Sequence, residues 1–201
     1  MIRLYHSPRT RSARIYWLLE ELGLPYDLTI VPFTPLVPPV RPFAQQSPFG
    51  KFPAIQDGEV TMFESGAILE YILEQYGQGR LAPAQGTTQR ASFLQWVHFA
   101  EATAFPPLAS IAWHTFRKDT QDIPTAMDDY RSWATAALSV LERALAEGQY
   151  LLGGEFSGAD IMMGYTLKCA KWFGLLGPEY PNLAAYVARL EARPAFQKAF
   201  A

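Results

Sequence analysis

The chain has 201 residues, of which 49% are hydrophobic and 18% charged, with a formal net charge of −2, so it has the composition of a globular protein with room for one large domain or two small ones. A charge so near neutrality excludes the electrostatic footprint of a nucleic-acid or anionic-membrane binder, and no apolar run approaches the roughly 20 residues that span a bilayer. A single cysteine, Cys169, excludes a disulfide framework or CxxC pair, and the start MIRLYHSPRTRS lacks the apolar segment of a signal peptide, which favours a cytoplasmic protein.

The first 77 residues mix the signals of strands and helices. The predicted elements, in chain order, are a strand at 2–6, a helix at 12–23, a strand at 26–31, a hairpin at 53–63 through Asp57-Gly58, and a helix that ends at Gly77. In the first helix, Ser12 is placed to cap the start and Gly23 the end, and one face is apolar: Ile15, Leu18, Leu19 and Leu22. Five prolines between 32 and 43 forbid regular structure there, except for a short helical turn afterwards. This order predicts a small α/β domain.

The segment GQGRLAPAQGT, punctuated by glycine and proline, is typical of a linker. We therefore place a first domain at 1–78, a linker at 79–87 and a second domain at 88–201. From Thr88 onward no strand signal remains. The predicted helices cover 88–117, 125–147, 158–174, 182–192 and 194–200, three of them starting at or next to a proline. The second domain is therefore predicted to be all-helical.

Three motifs follow one another along the chain: GKFPAI at 50–55, FESGAILEYI at 63–72 and FSGADIMM at 156–163. In this order and spacing they make the chain resemble the glutathione transferase family over essentially its whole length, and its bacterial and fungal members in particular. The resemblance implies an α/β thioredoxin-like domain followed by an all-α domain. It also implies a detoxifying cytoplasmic homodimer that needs no cofactor or metal, with glutathione as co-substrate and a small hydrophobic electrophile as the other substrate.

Pro53 stands at the entrance of a predicted strand, although proline cannot donate to a strand ladder. In a thioredoxin-like fold the matching proline follows a cis peptide bond, so the resemblance predicts a cis Phe52–Pro53 bond. Phe52 would then offer its N–H and C=O to an extended tripeptide, which would pair as an added strand. Local sequence alone favours the alternative, a trans proline that begins an edge strand.

Glu64 and Ser65 stand at the start of the second predicted helix of the first domain, where free N–H groups and the positive end of the helix dipole favour a carboxylate. The resemblance implies that Ser65 binds the γ-glutamyl carboxylate of glutathione and Glu64 the adjacent ammonium. It further implies that Lys51 contacts the glycine carboxylate or main chain of the tripeptide. The alternatives are an ordinary helix cap and a solvated lysine.

The thiol of glutathione needs a group that stabilises its thiolate, because a thiol with a pKa near 8.5 is only a few per cent ionised at neutral pH. The donor must lie between the first strand and the first helix, in YHSPRTRSAR. Members of the family that use cysteine are excluded, since no cysteine precedes position 169. Within this segment, Arg9 and Arg11 raise the local positive potential and favour the thiolate.

Four hydroxyl groups of this segment compete for the role of thiol activator. Counting back from Arg14 favours Thr10, and counting from the strand favours Ser12 or Arg11. We name Thr10 first and Ser12 second; Tyr5 and Ser7 are the other candidates. For Ser12 the alternative is a plain helix cap, and for Thr10 a solvated loop residue.

The electrophile is expected to bind between the domains, in a pocket lined by the loop near one arginine and by helical aromatic residues: Arg9, Phe105, Trp113, Phe116 and Trp172. Aromatic residues at helical spacing belong to the core more often than to a substrate wall, which is the alternative. Ser157 and Asp160 form a capping box without a catalytic role. Two other functions fit the same motifs: a glutathione-dependent disulfide reductase or peroxidase, and a glutathione-binding module without catalysis.

Overall fold

A four-stranded sheet organises the amino-terminal part of the chain in this computed structural model, which describes residues 1–33 and 41–201. Its strands are β1 (Ile2–His6), β2 (Tyr26–Ile30), β3 (Ala54–Asp57) and β4 (Val60–Phe63). Their order is β2-β1-β3-β4, with β1 parallel to β2 and antiparallel to β3. The hairpin through Asp57-Gly58 is confirmed, since β3 and β4 pair antiparallel and Gly58 has a φ of 58° that suits a tight turn.

Helices make up the rest of the regular structure. They are α1 (Ser12–Leu22), α2 (Ser65–Tyr76), α3 (Thr88–His98), α4 (Phe105–Arg117), α5 (Pro124–Ala144), α6 (Gly158–Trp172), α7 (Pro181–Glu191) and α8 (Pro194–Ala199). A short 3₁₀ helix at Arg41–Gln45 lies where a helical turn was predicted after the prolines; the proline-rich positions 34–40 lie outside the described residues. The α/β region followed by a helical region confirms the predicted fold class.

The described chain divides into two compact units, Met1–Pro83 with Ala192–Ala201, and Ala84–Glu191. The ten terminal residues, which the sequence analysis assigned to the helical domain, thus pack with the first unit. The reason lies in α1, where the buried Trp17 ring meets Phe196 edge-on with 4.9 Å between centroids. Arg193 adds two hydrogen bonds, of 2.6 and 2.7 Å, to the Glu21 carboxylate. The face predicted for α1 is also buried: Ile15, Leu18, Leu19 and Leu22.

One helical stretch was predicted over 88–117, and the structure interrupts it with a π-helical segment at Phe99–Ala104. Pro106 and Pro107 follow Phe105 in the first turn of α4, and neither has an N–H to give to a carbonyl four residues earlier. Thr166 of α6 donates to the Ala100 carbonyl at 3.2 Å and so satisfies one acceptor of the irregular turn. Within the described ranges, none of the helices is long and apolar enough to cross a membrane.

Asp160 organises the start of α6. The capping box with Ser157 is confirmed: the Asp160 carboxylate accepts from the Ser157 N–H at 2.8 Å and from its hydroxyl at 3.0 Å. It also accepts from the Leu151 N–H at 3.0 Å and from the Tyr186 hydroxyl at 2.7 Å. Burial raises the pKa of Asp160, and these four donors oppose that shift. The carboxylate therefore joins α6, α7 and the preceding loop.

Candidate active site

The peptide bond between Phe52 and Pro53 is cis, as predicted. The Phe52 side chain is 6% exposed and stacks on Phe43, with 4.5 Å between ring centroids. Over residues 1–33 and 41–201, neither the N–H nor the C=O of Phe52 has a hydrogen-bond partner. An anchored side chain thus carries an unpaired main chain, which suits pairing with an extended peptide.

Ser47 fixes the loop that carries Lys51. Its buried hydroxyl accepts from the Lys51 N–H at 3.0 Å and donates to the Lys51 carbonyl at 2.8 Å. The Lys51 side chain is exposed, with its Nζ 5.9 Å from the centroid of the Phe49 ring. Ser47 could not be predicted from the sequence, because a serine in a loop carries no signal that distinguishes this pair of hydrogen bonds from an ordinary turn.

Glu64 precedes α2 in a backbone conformation that side chains rarely adopt, with φ 75° and ψ 109°. Its side chain is exposed and does not cap the helix, so the alternative of a simple cap does not describe it. A non-glycine residue held in such a region costs on the order of 1–3 kcal/mol, and such residues cluster at ligand sites. This feature depends on the folded backbone, and the sequence gives no sign of it.

Ser65 is the first residue of α2, and its hydroxyl lies over a buried cation. Arg14 of α1 is 0% exposed, and its Nη1 donates to the Ser65 Oγ at 3.0 Å. Since a guanidinium can only donate, Ser65 is the acceptor and keeps its own proton for another group. The first intrahelical bond joins the Ile68 N–H to the Glu64 carbonyl, so the N–H groups of 65–67 face no carbonyl of their own helix. The start of α2 therefore presents hydrogen-bond donors of the kind that bind anions.

Arg14 served in the sequence analysis only as a landmark for counting. Its contact with Ser65 spans 51 positions along the chain, and no local pattern announces it. The sequence contains one signal that could have suggested a role beyond packing: an arginine two residues after Ser12, within an otherwise apolar helix face.

The hydroxyl of Ser12 is enclosed between β1 and α1. Ser12 is 0% exposed, and its Oγ accepts from the Ser7 N–H at 3.2 Å and lies 2.9 Å from the His6 Nδ1. The prediction that Ser12 caps α1 is wrong: Arg11 occupies the cap position, and Ser12 is the first helical residue. Its hydroxyl bonds back to the end of β1 because that strand ends directly beneath it.

Thr10 is the partly exposed hydroxyl of the same loop. Its Oγ1 donates to the Ser7 carbonyl at 2.8 Å and lies 2.7 Å from the Ser12 Oγ. Ser7 itself is buried. Tyr5 directs its hydroxyl to the Gln56 Oε1 on β3, at 3.4 Å. The structure therefore brings Thr10 and Ser12 into contact.

Two guanidinium groups, those of Arg9 and Arg11, flank Thr10 in this loop. Arg9 is exposed and has a φ of 64°, and Arg11 is half-buried. A left-handed backbone is uncommon for an arginine, and here it marks the sharp turn between Pro8 and Thr10. The positive charge lies beside the start of α1, so both favour an anion near Thr10.

His6 ends β1 behind this loop. Burial lowers the pKa of His6 from 6.5 to about 4, so the ring is neutral at neutral pH. Unfolding releases it to its ordinary pKa, and the unfolded chain then binds one more proton than the folded chain between these two values. The contribution of the neutral His6 ring to the free energy of unfolding is therefore fully present above pH 6.5 and is lost as the pH falls towards 4.

We expect the ring signals of His6 to titrate near pH 4 in nuclear magnetic resonance spectra of the protein with isotope-labelled histidine. The physical reason is that burial disfavours the imidazolium. Substitution of His6 by asparagine assigns its signals. A His6 titration near pH 6.5 would contradict the enclosed, neutral ring.

The aromatic residues predicted to line an electrophile pocket belong to the helical unit, whereas Arg9 belongs to the first unit. Phe116 of α4 and Trp172 of α6 lie 6.4 Å apart between ring centroids, and they are 40% and 56% exposed. Trp113, also exposed, precedes Phe116 by three residues on α4. Phe105 instead packs against Tyr165, 5.7 Å away. The structure thus brings together two of the four rings on an open surface.

A cavity of about 410 Å³ also occurs in the helical unit. Its lining comes from α4, from α5 and from the residues that follow α4 and α6, and it includes the apolar Ile111 and Met127 and the basic Lys118 and Arg131. None of the residues predicted for the electrophile pocket lines it. The exposed surface of Phe116 and Trp172 is therefore a separate feature of this unit.

Comparisons with known proteins agree with the motifs. The family model described as "Glutathione S-transferase, N-terminal domain" matches residues 4–80, and "Glutathione S-transferase, C-terminal domain" matches 124–189. The glutathione S-transferase-like protein OpS6 of Beauveria bassiana is 33% identical, over 98% of this chain and 93% of that protein. The disulfide-bond oxidoreductase YfcG of Escherichia coli is 32% identical, over 97% of this chain and 92% of that protein.

A solved structure shares the fold over nearly the whole chain. It is the glutathione transferase URE2P6 of Phanerochaete chrysosporium in complex with oxidized glutathione, which is 27% identical with a TM-score of 0.87 and covers 99% of this chain and 94% of that one. The two family matches take in both the α/β region and most of the helical region. The chain belongs to the glutathione S-transferase family.

Proposed function

We propose that the protein binds glutathione on its first unit and adds the glutathione thiolate to small apolar electrophiles. The observation that carries the proposal is the Ser65 hydroxyl at the start of α2, which accepts a hydrogen bond from the buried Arg14. A carboxylate there would accept from the Ser65 hydroxyl and from helix N–H groups. Glu64 is placed next to it for the ammonium of the γ-glutamyl group.

The rest of the tripeptide has matching partners in the same unit. The unpaired main chain of Phe52 suits the peptide portion of glutathione, which would add to it as a short strand. Lys51 lies on the loop that the Ser47 hydroxyl fixes by two hydrogen bonds, and it supplies a cation for the glycine carboxylate. Supporting side chains that are themselves fixed favour a site formed before the ligand arrives.

We assign the role of thiol activator to Thr10. Its hydroxyl is partly exposed, while Ser12 is enclosed and already surrounded by hydrogen-bond partners. Lowering a thiol pKa by about two units needs roughly 2.7 kcal/mol of preferential stabilisation of the thiolate. One hydroxyl donor, the start of α1 and the nearby arginines together supply an effect of that size.

Replacement of Thr10 by alanine is expected to raise the pKa of bound glutathione by roughly 0.5–1, because one hydrogen bond to the thiolate is lost. Thiolate absorbance measured against pH in the saturated complex gives this value. Threonine replaced by serine keeps the hydroxyl and is the matched control, with a titration close to that of the parent protein. An unchanged titration in the alanine variant would remove Thr10 from this role.

The electrophile is proposed to bind against the exposed rings of the helical unit, where Trp113, Phe116 and Trp172 offer apolar surface to a small substrate.

By resemblance we further propose a cytoplasmic homodimer. Light scattering of the purified protein measures the mass in solution. The mass of a single chain at micromolar concentration would exclude a stable dimer.

A second candidate function is the reduction of disulfides with glutathione as the sulfur nucleophile. It is favoured by the similarity to a relative named a disulfide-bond oxidoreductase. Calorimetric titration with glutathione, followed by turnover of an aryl halide, a hydroperoxide and a mixed disulfide, tests both functions. Conjugation of the aryl halide as the fastest reaction supports the transferase, and preference for the disulfide or hydroperoxide supports the alternative. Binding without any turnover would identify a non-catalytic module.

A further inference from the structure

A buried chain of three side chains runs from the end of β1 to Thr10. His6 Nδ1 lies 2.9 Å from the Ser12 Oγ, and the Ser12 Oγ lies 2.7 Å from the Thr10 Oγ1. His6 and Ser12 are both buried, while Thr10 is partly exposed. The chain therefore leads from the interior to the loop where the glutathione sulfur is proposed to bind.

The direction of these hydrogen bonds follows from the number of protons available. A serine hydroxyl donates one hydrogen bond and accepts two. The Ser7 N–H already donates to the Ser12 Oγ at 3.2 Å. If His6 also donates, both acceptor positions of Ser12 are filled, and the 2.7 Å contact has to run from Ser12 to Thr10.

The neutral His6 ring carries one proton, on Nδ1 or on Nε2. Within residues 1–33 and 41–201, Nδ1 contacts Ser12 and Nε2 has no hydrogen-bond partner, and the ring edge faces Tyr16 at 5.4 Å between centroids. A proton on Nδ1 gives each of the three short contacts of the cluster a hydrogen, whereas a proton on Nε2 leaves one contact between two oxygens, at 2.7 or 2.8 Å, without one. The environment thus favours the tautomer in which His6 donates to Ser12.

With Ser12 donating to Thr10, the Thr10 hydroxyl is free to donate its own hydrogen bond to a group outside the cluster. In this structure it goes to the Ser7 carbonyl at 2.8 Å. That carbonyl also accepts from the Thr10 N–H at 3.3 Å, so it keeps a donor when the hydroxyl turns away. The Thr10 hydroxyl can therefore donate to an anion without leaving the Ser7 carbonyl unsatisfied.

We propose that His6 is a positioning residue which, by donating to Ser12, keeps the proton of Thr10 directed at the thiolate of bound glutathione. This inference rests on the proposed binding of glutathione and on Thr10 as activator. Without His6, Ser12 gains an open acceptor position and turns its own proton to the Ser7 carbonyl, 3.2 Å away. Thr10 then donates inward to Ser12, and the sulfur loses its donor.

The test is a double-mutant cycle between His6→Leu and Thr10→Ala, read as the pKa of glutathione in the saturated complex. His6→Leu is expected to raise the pKa of bound glutathione by roughly 0.5–1, as Thr10→Ala does, with the dissociation constant of glutathione unchanged within twofold. His6→Asn, whose amide can donate from the position of Nδ1, is expected to restore the parent titration. In the Thr10→Ala background, His6→Leu is expected to add nothing.

The possible results distinguish the role of His6 from the role of Thr10, on which it depends. An unchanged titration in His6→Leu, or an effect that adds to that of Thr10→Ala, overturns the role of His6 while Thr10 stands. If Thr10→Ala itself changes nothing, the activator assignment fails and this role of His6 fails with it. If His6→Leu does not fold, as judged from its melting curve, the ¹⁵N chemical shifts of the labelled His6 ring in the parent protein show which ring nitrogen carries the proton. A proton on Nδ1 is the expected result, and a proton on Nε2 overturns the inference.

Discussion

Replacement of Asp160 by alanine is expected to lower the free energy of unfolding by about 3–5 kcal/mol. The carboxylate accepts four hydrogen bonds, from Leu151, Ser157 twice and Tyr186. Its removal leaves these donors buried without an acceptor, and each such donor costs about 1–3 kcal/mol unless the chain rearranges. Urea denaturation followed by circular dichroism measures the loss.

The matched control for this prediction is Asp128→Ala on α5. Asp128 is 79% exposed and faces Arg131 at 3.4 Å, so its removal is expected to change the free energy of unfolding by less than about 0.5 kcal/mol. A loss below about 1 kcal/mol in Asp160→Ala would show that the four donors find other partners. In that case the capping box would not hold the helical unit together.

A double variant, Glu64→Gln with Ser65→Ala, is expected to bind glutathione about 100-fold more weakly. A hydrogen bond to a charged group is worth about 1.5–3 kcal/mol, an exposed ion pair adds up to about 1 kcal/mol, and every 1.4 kcal/mol is a factor of ten. The pKa of the bound thiol is expected to stay as in the parent protein, because Thr10 and its loop are untouched. Calorimetry measures the affinity, and thiolate absorbance measures the acidity.

Two comparisons make this second result interpretable. Glu74→Gln removes an exposed carboxylate from the same helix, farther from its start, and is expected to leave the affinity within twofold. The Ser65 substitution also removes an acceptor from the buried Arg14, so the melting temperature is recorded and binding is measured well below it. An affinity retained within threefold in the double variant would exclude the start of α2 as the carboxylate site.

Local patterns were enough to predict much of the fold. The apolar face of α1, the turn at Asp57-Gly58 and the Ser157–Asp160 box each follow from residues that are near one another in sequence. The cis bond before Pro53 was predicted only through the family resemblance, since a lone proline at a strand entrance favours the trans form. The resemblance worked because three motifs occurred in order.

Other features of the candidate site could not be predicted, because they join parts of the chain that lie far apart or depend on the folded backbone. The Arg14–Ser65 contact bridges α1 and α2, and the φ of Glu64 is set by the passage from β4 into α2. Ser12 looked like a cap from its position before an apolar helix. In the folded protein the end of β1 offers its hydroxyl nearer partners, the Ser7 N–H and His6.

The packing of residues 192–201 on α1 determines how the protein can be divided for experiments. The amino-terminal unit is discontinuous, and the helical unit is in effect an insertion within it. A fragment that ends at the linker would present Trp17 to water where Phe196 now covers it, and it would leave the Glu21 carboxylate without Arg193. A faithful minimal fragment of the amino-terminal unit has to contain two pieces of chain, one from each end of the sequence.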